Sequence, residues 1–223
     1  MDTREQVGES FCLDAYLKAR KKALGLIALF TSQLKADISE KEGIGLLENL
    51  CKENGIQKFW HPTKFRIASN TQKSFKEISE ANIILKENDI YFIDLGAVID
   101  GYETDIGRSY IHGENNQAQK MIKDTAEMFF ELQKTWFQEN LSGTRLYKKA
   151  KTLAQEKNYF LNEKMAGHRL GDFPHALYHK GSLADFEKKP IENLWVLELH
   201  LLNSSSNMGV FYEDILTPHF SHN

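Results

Sequence analysis

Cysteine is scarce. The 223 residues hold two, Cys12 and Cys51, which is too few for a disulfide framework. Both fall in apolar helical patterns and read as buried, reduced thiols. Strong charge of one sign is also missing: 28 Lys and Arg stand against 31 Asp and Glu, for a net charge of −3. Phosphate binding needs a concentrated basic surface, so nucleic acid is not an expected partner. No long hydrophobic run occurs either. The longest apolar stretch, Ala23 to Phe30, falls far short of the ~20 residues that span a bilayer, so no membrane association is expected. Met1 to Ser10 is polar and acidic and carries no secretory signal, which makes the cytoplasm the expected compartment. Low-complexity linkers are absent as well. The expectation is one domain over residues 1–223, of class α+β.

What is present begins with helices. Leu13, Leu17, Leu24, Ile27 and Leu34 recur at near-helical spacing and predict a helix from about Phe11 to Ala36. A second helix starts at Ser39-Glu40-Lys41-Glu42, a capping box, and stops at Asn54-Gly55. A short strand near Phe65 to Ala68 follows. Ile90 to Val98 is a strongly apolar strand, and Tyr102 to Ile111 returns beside it. Further helices are predicted at Asn116 to Gln138 and Thr144 to Lys157, then a loop-rich stretch, then strands at Leu194 to Leu202 and Gly209 to Leu216. The order of helix, helix, strand and hairpin is thus run through about twice, which suggests two similar halves.

Asp100-Gly101 supplies the two positive-φ residues of a tight hairpin turn. With that turn, Ile99 opposes Tyr102 and Gly96 opposes Asp105. Asp94 shares a face with Gly96, because side chains alternate with period two. Asp94 and Asp105 are therefore diagonal neighbours, with Cβ atoms roughly 7–8 Å apart or somewhat less. Gly96 between them leaves open space. Arg108 has the opposite parity and should point away. Two carboxylates in so apolar a hairpin are costly unless paired, and a bound cation resolves the cost; a wet sheet face would resolve it equally well.

These motifs, taken in order, resemble the pita-bread metallopeptidase family of methionine aminopeptidase, aminopeptidase P and prolidase. Ile93-Asp94-Leu-Gly-Ala with Gly101-Tyr-Glu-Thr-Asp105-Ile-Gly-Arg108 is similar to the family's two-aspartate hairpin. Gly167-His168-Arg-Leu-Gly171 is similar to its histidine turn. Val196-Leu-Glu198 and Gly209-Val-Phe-Tyr-Glu213 are similar to its two glutamate strands. The resemblance reaches from the first helix to about Pro218. It implies the pita-bread (creatinase/aminopeptidase) fold, two pseudo-symmetric halves around an antiparallel sheet with helices outside.

The same resemblance implies a dinuclear metal site held by Asp94, Asp105, His168, Glu198 and Glu213. Asp105 and Glu213 would bridge two divalent ions, Asp94 would hold one, and His168 with Glu198 the other. Four carboxylates and two divalent ions balance in charge, and the donor set suits Mn, Fe, Co or Zn. The implied reaction is hydrolysis at the amino end of a peptide through a metal-bridged hydroxide. Glu198 would be the general base and His175 would contact the substrate or stabilise the tetrahedral intermediate. His61, in Trp60-His61-Pro62, is a further candidate to border the pocket. His179 and His200 read as structural.

The sequence departs from the family in three places. Family aminopeptidases usually carry another histidine some 17 or 18 residues before the first aspartate, where this chain has Lys76 and Glu77. Pro-Gly does not follow Glu198, and the large N-terminal domain of aminopeptidase P and prolidase is not seen, so the chain reads as a short member. Peptide or small amide is the expected substrate, with a monomer or homodimer as the acting unit. The alternatives are a catalytically silent member serving as a binding module, or a non-peptidase amide hydrolase on the same scaffold.

Overall fold

A computed structural model describes residues 5–174 and 179–218. Helix α1 spans Leu13–Gln33 and α2 Glu40–Glu53. The expected capping box opens α2: Ser39 Oγ accepts from Glu42 N, and Glu42 Oε2 accepts from Ser39 N. Such a cap contributes about 1 kcal/mol by satisfying donors that the first turn leaves unpaired. Strands β1 (Lys58–Phe59) and β2 (Lys64–Ile67) follow, with a 3-10 turn at Ala68–Gln72.

The central hairpin is β3 (Asp89–Leu95), β4 (Ala97–Ile99), β5 (Tyr102–Glu103) and β6 (Ile106–His112). Asp100 and Gly101 turn it with φ of 53° and 85°. The expected register holds from end to end: Ile99 opposes Tyr102, Leu95 opposes Ile106 and Asp89 opposes His112. Its tip leaves the main sheet beyond Gly96 and joins β1. The second half repeats the plan with α3 (Asn116–Glu139), α4 (Gly143–Glu156), β7 (Phe160–Leu161), β8 (Val196–Asn203) and β9 (Met208–Ile215).

Two antiparallel sheets result, one of order β1-β4-β5 and one of order β2-β3-β6-β9-β8-β7. Strand alternation sorts their faces. Tyr91, Ile93 and Leu95 join the core under α1 and α2, while Leu197, Leu199 and Leu201 join the core under α3 and α4. The helices therefore cover one face of the large sheet, and the other face carries Asp94, Glu198 and Glu213. The α+β expectation and the helices outside are met. One minor expectation is not: Cys51 is buried as read, but Cys12 lies just before α1 and is exposed.

Candidate metal centre

The site follows from sheet register. Asp94 on β3 pairs with Gly107 on β6, Gly107 with Glu213 on β9, and Glu213 with Glu198 on β8. Directly paired residues share a face, so three carboxylates stand in one row across four strands. Gly107 sits in that row because nothing else fits: a Cβ there would lie 2.3 Å from the Phe211 ring and 2.7 Å from Glu213 Cβ. Asp105 enters beside the row, where the hairpin bends between β5 and β6.

His168 comes from the long connection between β7 and β8. Its main chain is fixed by pairing: Val196 N donates to His168 O at 2.9 Å, and Leu170 N to Leu194 O at 2.8 Å. Gly167 holds φ of 67° before it, with Val196 O only 2.2 Å from where a Cβ would stand, so the turn requires glycine. His168 Nε2 lies 3.1 Å from Asp105 Oδ2, 3.5 Å from Glu213 Oε1 and 3.6 Å from Glu198 Oε1. All five expected ligand residues thus converge. His175 lies outside the described residues.

A second imidazole completes the cluster. His61 was read only as a candidate to border the pocket, and its Nε2 reaches 3.1 Å from Asp105 Oδ1 and 3.4 Å from Asp94 Oδ1. The space that Gly96 opens is not empty: a Cβ there would be 2.1 Å from the His61 ring. Lys76, at the position where a histidine was sought, lines the cavity, whereas Glu77 turns to Ser74 and Lys164. His200 is structural as read, its Nε2 2.7 Å from Thr71 O and its Nδ1 3.0 Å from Asn162 Nδ2. Arg108 points away as read, bonding Asp214 and lying over the Tyr212 ring.

The cluster forms the floor of a cavity of about 510 Å³ with Trp60, Phe75 and Met165 on its walls, a size that accepts a small ligand. Burial pushes the carboxyls of Asp94, Glu198 and Glu213 up, and Asp105 adds repulsion in each case. Asp105 differs: burial opposes its charge too, but His61 and His168 outweigh burial and hold it below the usual carboxylate range. Burial also works against a charged His61, yet Asp105 and Asp94 raise it to about 9. Asp94 Oδ1 is buried and has no hydrogen-bond partner among the described residues. An orphaned carboxylate oxygen beside three more acids and two imidazoles fits divalent cations with mixed O and N ligation. Asp105 belongs to two ligand groups of suitable spacing, one with His61 and Asp94 and one with His168 and Glu213.

Known proteins share this fold. The structure superposes on an X-Pro aminopeptidase from Thermotoga maritima MSB8 with a TM-score of 0.77 at 19% identity, and on the prolidase from Pyrococcus furiosus with a TM-score of 0.76 at 20% identity. In both cases 97% of this chain is covered, and it spans 63% of the other's length. These likenesses give the fold, the pita-bread α+β architecture. The methionine aminopeptidase of Clostridium acetobutylicum is 44% identical over 48 residues, which are 21% of this chain and 19% of that protein. Residues 14–216 match the family model of the metallopeptidases designated M24. With nearly the whole chain inside that match, the chain belongs to metallopeptidase family M24.

Proposed function

We propose that this chain is a dinuclear metallopeptidase, with Asp94, Asp105, His168, Glu198 and Glu213 holding two divalent ions, and that it cleaves at the amino end of short peptides. The observation that carries the reading is the convergence of four buried carboxylates on one cavity floor, with Asp94 Oδ1 lacking a hydrogen-bond partner among the described residues. An isolated buried carboxylate is costly, and four are sustained only with compensating positive charge. The named relatives are described as an X-Pro aminopeptidase, a prolidase and a methionine aminopeptidase, which supports a peptide as substrate here.

When bound, two divalent ions lower the pKa of a water and polarise a scissile carbonyl. The chain's own residues do the rest. Glu198 accepts the proton of the attacking water, a role suited to a buried carboxyl whose proton affinity is raised. Gly167 N–H bonds the same carboxyl and keeps it oriented. Trp60, Phe75 and Met165 keep bulk water from the reacting peptide. His175 is assigned to substrate contact by the sequence resemblance.

The test is a screen of short peptides, X-Pro and Met-initiated sequences among them, with Mn, Co, Fe or Zn added to metal-free protein. Metal content is measured in parallel by mass spectrometry. Asp105→Ala should lose at least one ion and all turnover. Unchanged metal content in that variant would sink the assignment.

A further inference from the structure

Asp105 stands between two imidazoles, and each imidazole faces its own carboxylate oxygen. His61 Nε2 lies 3.1 Å from Oδ1 and His168 Nε2 lies 3.1 Å from Oδ2. The indole of Trp60 packs against both rings, at 4.4 Å from His61 and 5.1 Å from His168, and its Nε1 donates to Thr104 O. Phe75 also packs edge-on against His61, at 5.3 Å. His61 is thus wedged in one orientation with a narrow edge toward the acids.

The tautomer follows from the outer nitrogen. His61 Nδ1 is 3.0 Å from Pro62 O, an acceptor that can only receive a hydrogen. The proton of a neutral ring therefore belongs on Nδ1, and the Nε2 lone pair faces Asp94 and Asp105. A backbone carbonyl behind one nitrogen and acids before the other is how metal-ligating histidines are commonly oriented. His168 is built the same way, with Nδ1 toward Arg169 O and Nε2 toward the acids.

Donor spacing agrees. Two donors on one ion at about 2.1 Å, subtending an octahedral or tetrahedral angle, lie about 3.0 to 3.4 Å apart. His61 Nε2 stands 3.1 Å from Asp105 Oδ1 and 3.4 Å from Asp94 Oδ1.

We infer that His61 Nε2 is a sixth metal ligand, on the ion shared by Asp94 and Asp105, so that each of the two ions has one imidazole. This rests on the dinuclear reading above and adds a ligand to it. Its consequence is chemical: an ion otherwise bound by oxygens alone gains a nitrogen donor, which shifts that position away from Mg or Ca and toward Co, Fe or Zn.

The probe is Co(II) alone, titrated calorimetrically into the metal-free full chain, with proton spectra of the loaded protein. Wild type should bind two ions and give two strongly shifted, exchangeable imidazole N–H signals. One should vanish in His61→Ala and the other in His168→Ala. His61→Ala and the bulkier His61→Asn should each weaken one ion at least tenfold and leave the other within about twofold. Thermal unfolding in chelator separates a folding defect from a lost ligand, and the wild-type signal count decides the matter even where a variant fails to fold. A single N–H signal in wild type, or both affinities unchanged in a folded His61 variant, would overturn the inference while leaving the five-ligand site in place. If wild type binds no Co(II), the dinuclear reading itself fails.

Discussion

Tyr147 decides how firmly Glu198 is held. On the side of β8 away from β9, Val196 N bonds His168 O and His200 O accepts from Asn162 N, so partners exist above and below. Glu198 falls in the gap between them. The Tyr147 hydroxyl, from α4, fills it by donating to Glu198 O at 2.9 Å and accepting from Glu198 N at 3.1 Å. Tyr147→Phe keeps the ring but strands two buried backbone groups, each worth about 1–3 kcal/mol. Urea unfolding in chelator should show a loss of about 2 kcal/mol or more, and a change under about 0.5 kcal/mol would deny Tyr147 this role. Tyr147 gives no sign of this in sequence, where it is one more apolar position on a helix face. Asp94 and Asp105 were legible because a two-residue turn and a period of two fix their relation locally. His61 was legible as a residue that borders the pocket, but its contact with the acids was not, because its ring arrives from the β1–β2 connection: counting back along the chain from Asp94 measures separation in sequence, while the site measures separation across strands.

At the level of elements, the site is a register. Lys64, Asp94, Gly107, Glu213 and Glu198 lie opposite one another on five adjacent strands. A slip of one residue in any pair would turn an acid to the helical face. Gly107 tests this directly. The Cβ of Gly107→Ala would meet the rigid Phe211 ring and the Glu213 Cβ, not the free end of a flexible chain. The strands must part or Glu213 must move, so stability should fall by about 1–3 kcal/mol. Co(II) affinity should weaken by more than tenfold. A variant that binds both ions normally would mean that the row tolerates a side chain and that Glu213 is not fixed by it. The long elements were readable from periodicity and caps, α2 and the Asp100-Gly101 turn above all. The two-residue strands β1 and β7 were not, since so short a segment exists only by pairing with β4 and β8. The break at Gly96 was hidden for a related reason: the register runs on unbroken while the tip changes sheets.

Across the whole molecule, two halves of like plan meet at β6 and β9, and the acids of both halves face each other over that seam. The first half contributes Asp94 and Asp105, the second His168, Glu198 and Glu213. Cations at this position would tie the halves together, and without them the carboxyls repel one another in a buried place. Ions that bind only the folded chain stabilise it by mass action, about 2.7 kcal/mol for each site at a free concentration one hundred times its Kd. For a chain of this size 1 kcal/mol moves Tm by about 2–4 °C, so each ion should raise it by roughly 5–10 °C. Calorimetric scans near neutral pH, with Mn or Co added and then with excess chelator, measure the difference. Asp105→Ala should shrink the metal-dependent shift, and its Tm in chelator should fall below that of wild type, because His61 and His168 lose the carboxylate that they hold charged. An equal Tm with and without metal would mean that the acids of the two halves are not clustered tightly enough to need cations. A metal-dependent shift as large in Asp105→Ala as in wild type would mean that the ions bind elsewhere.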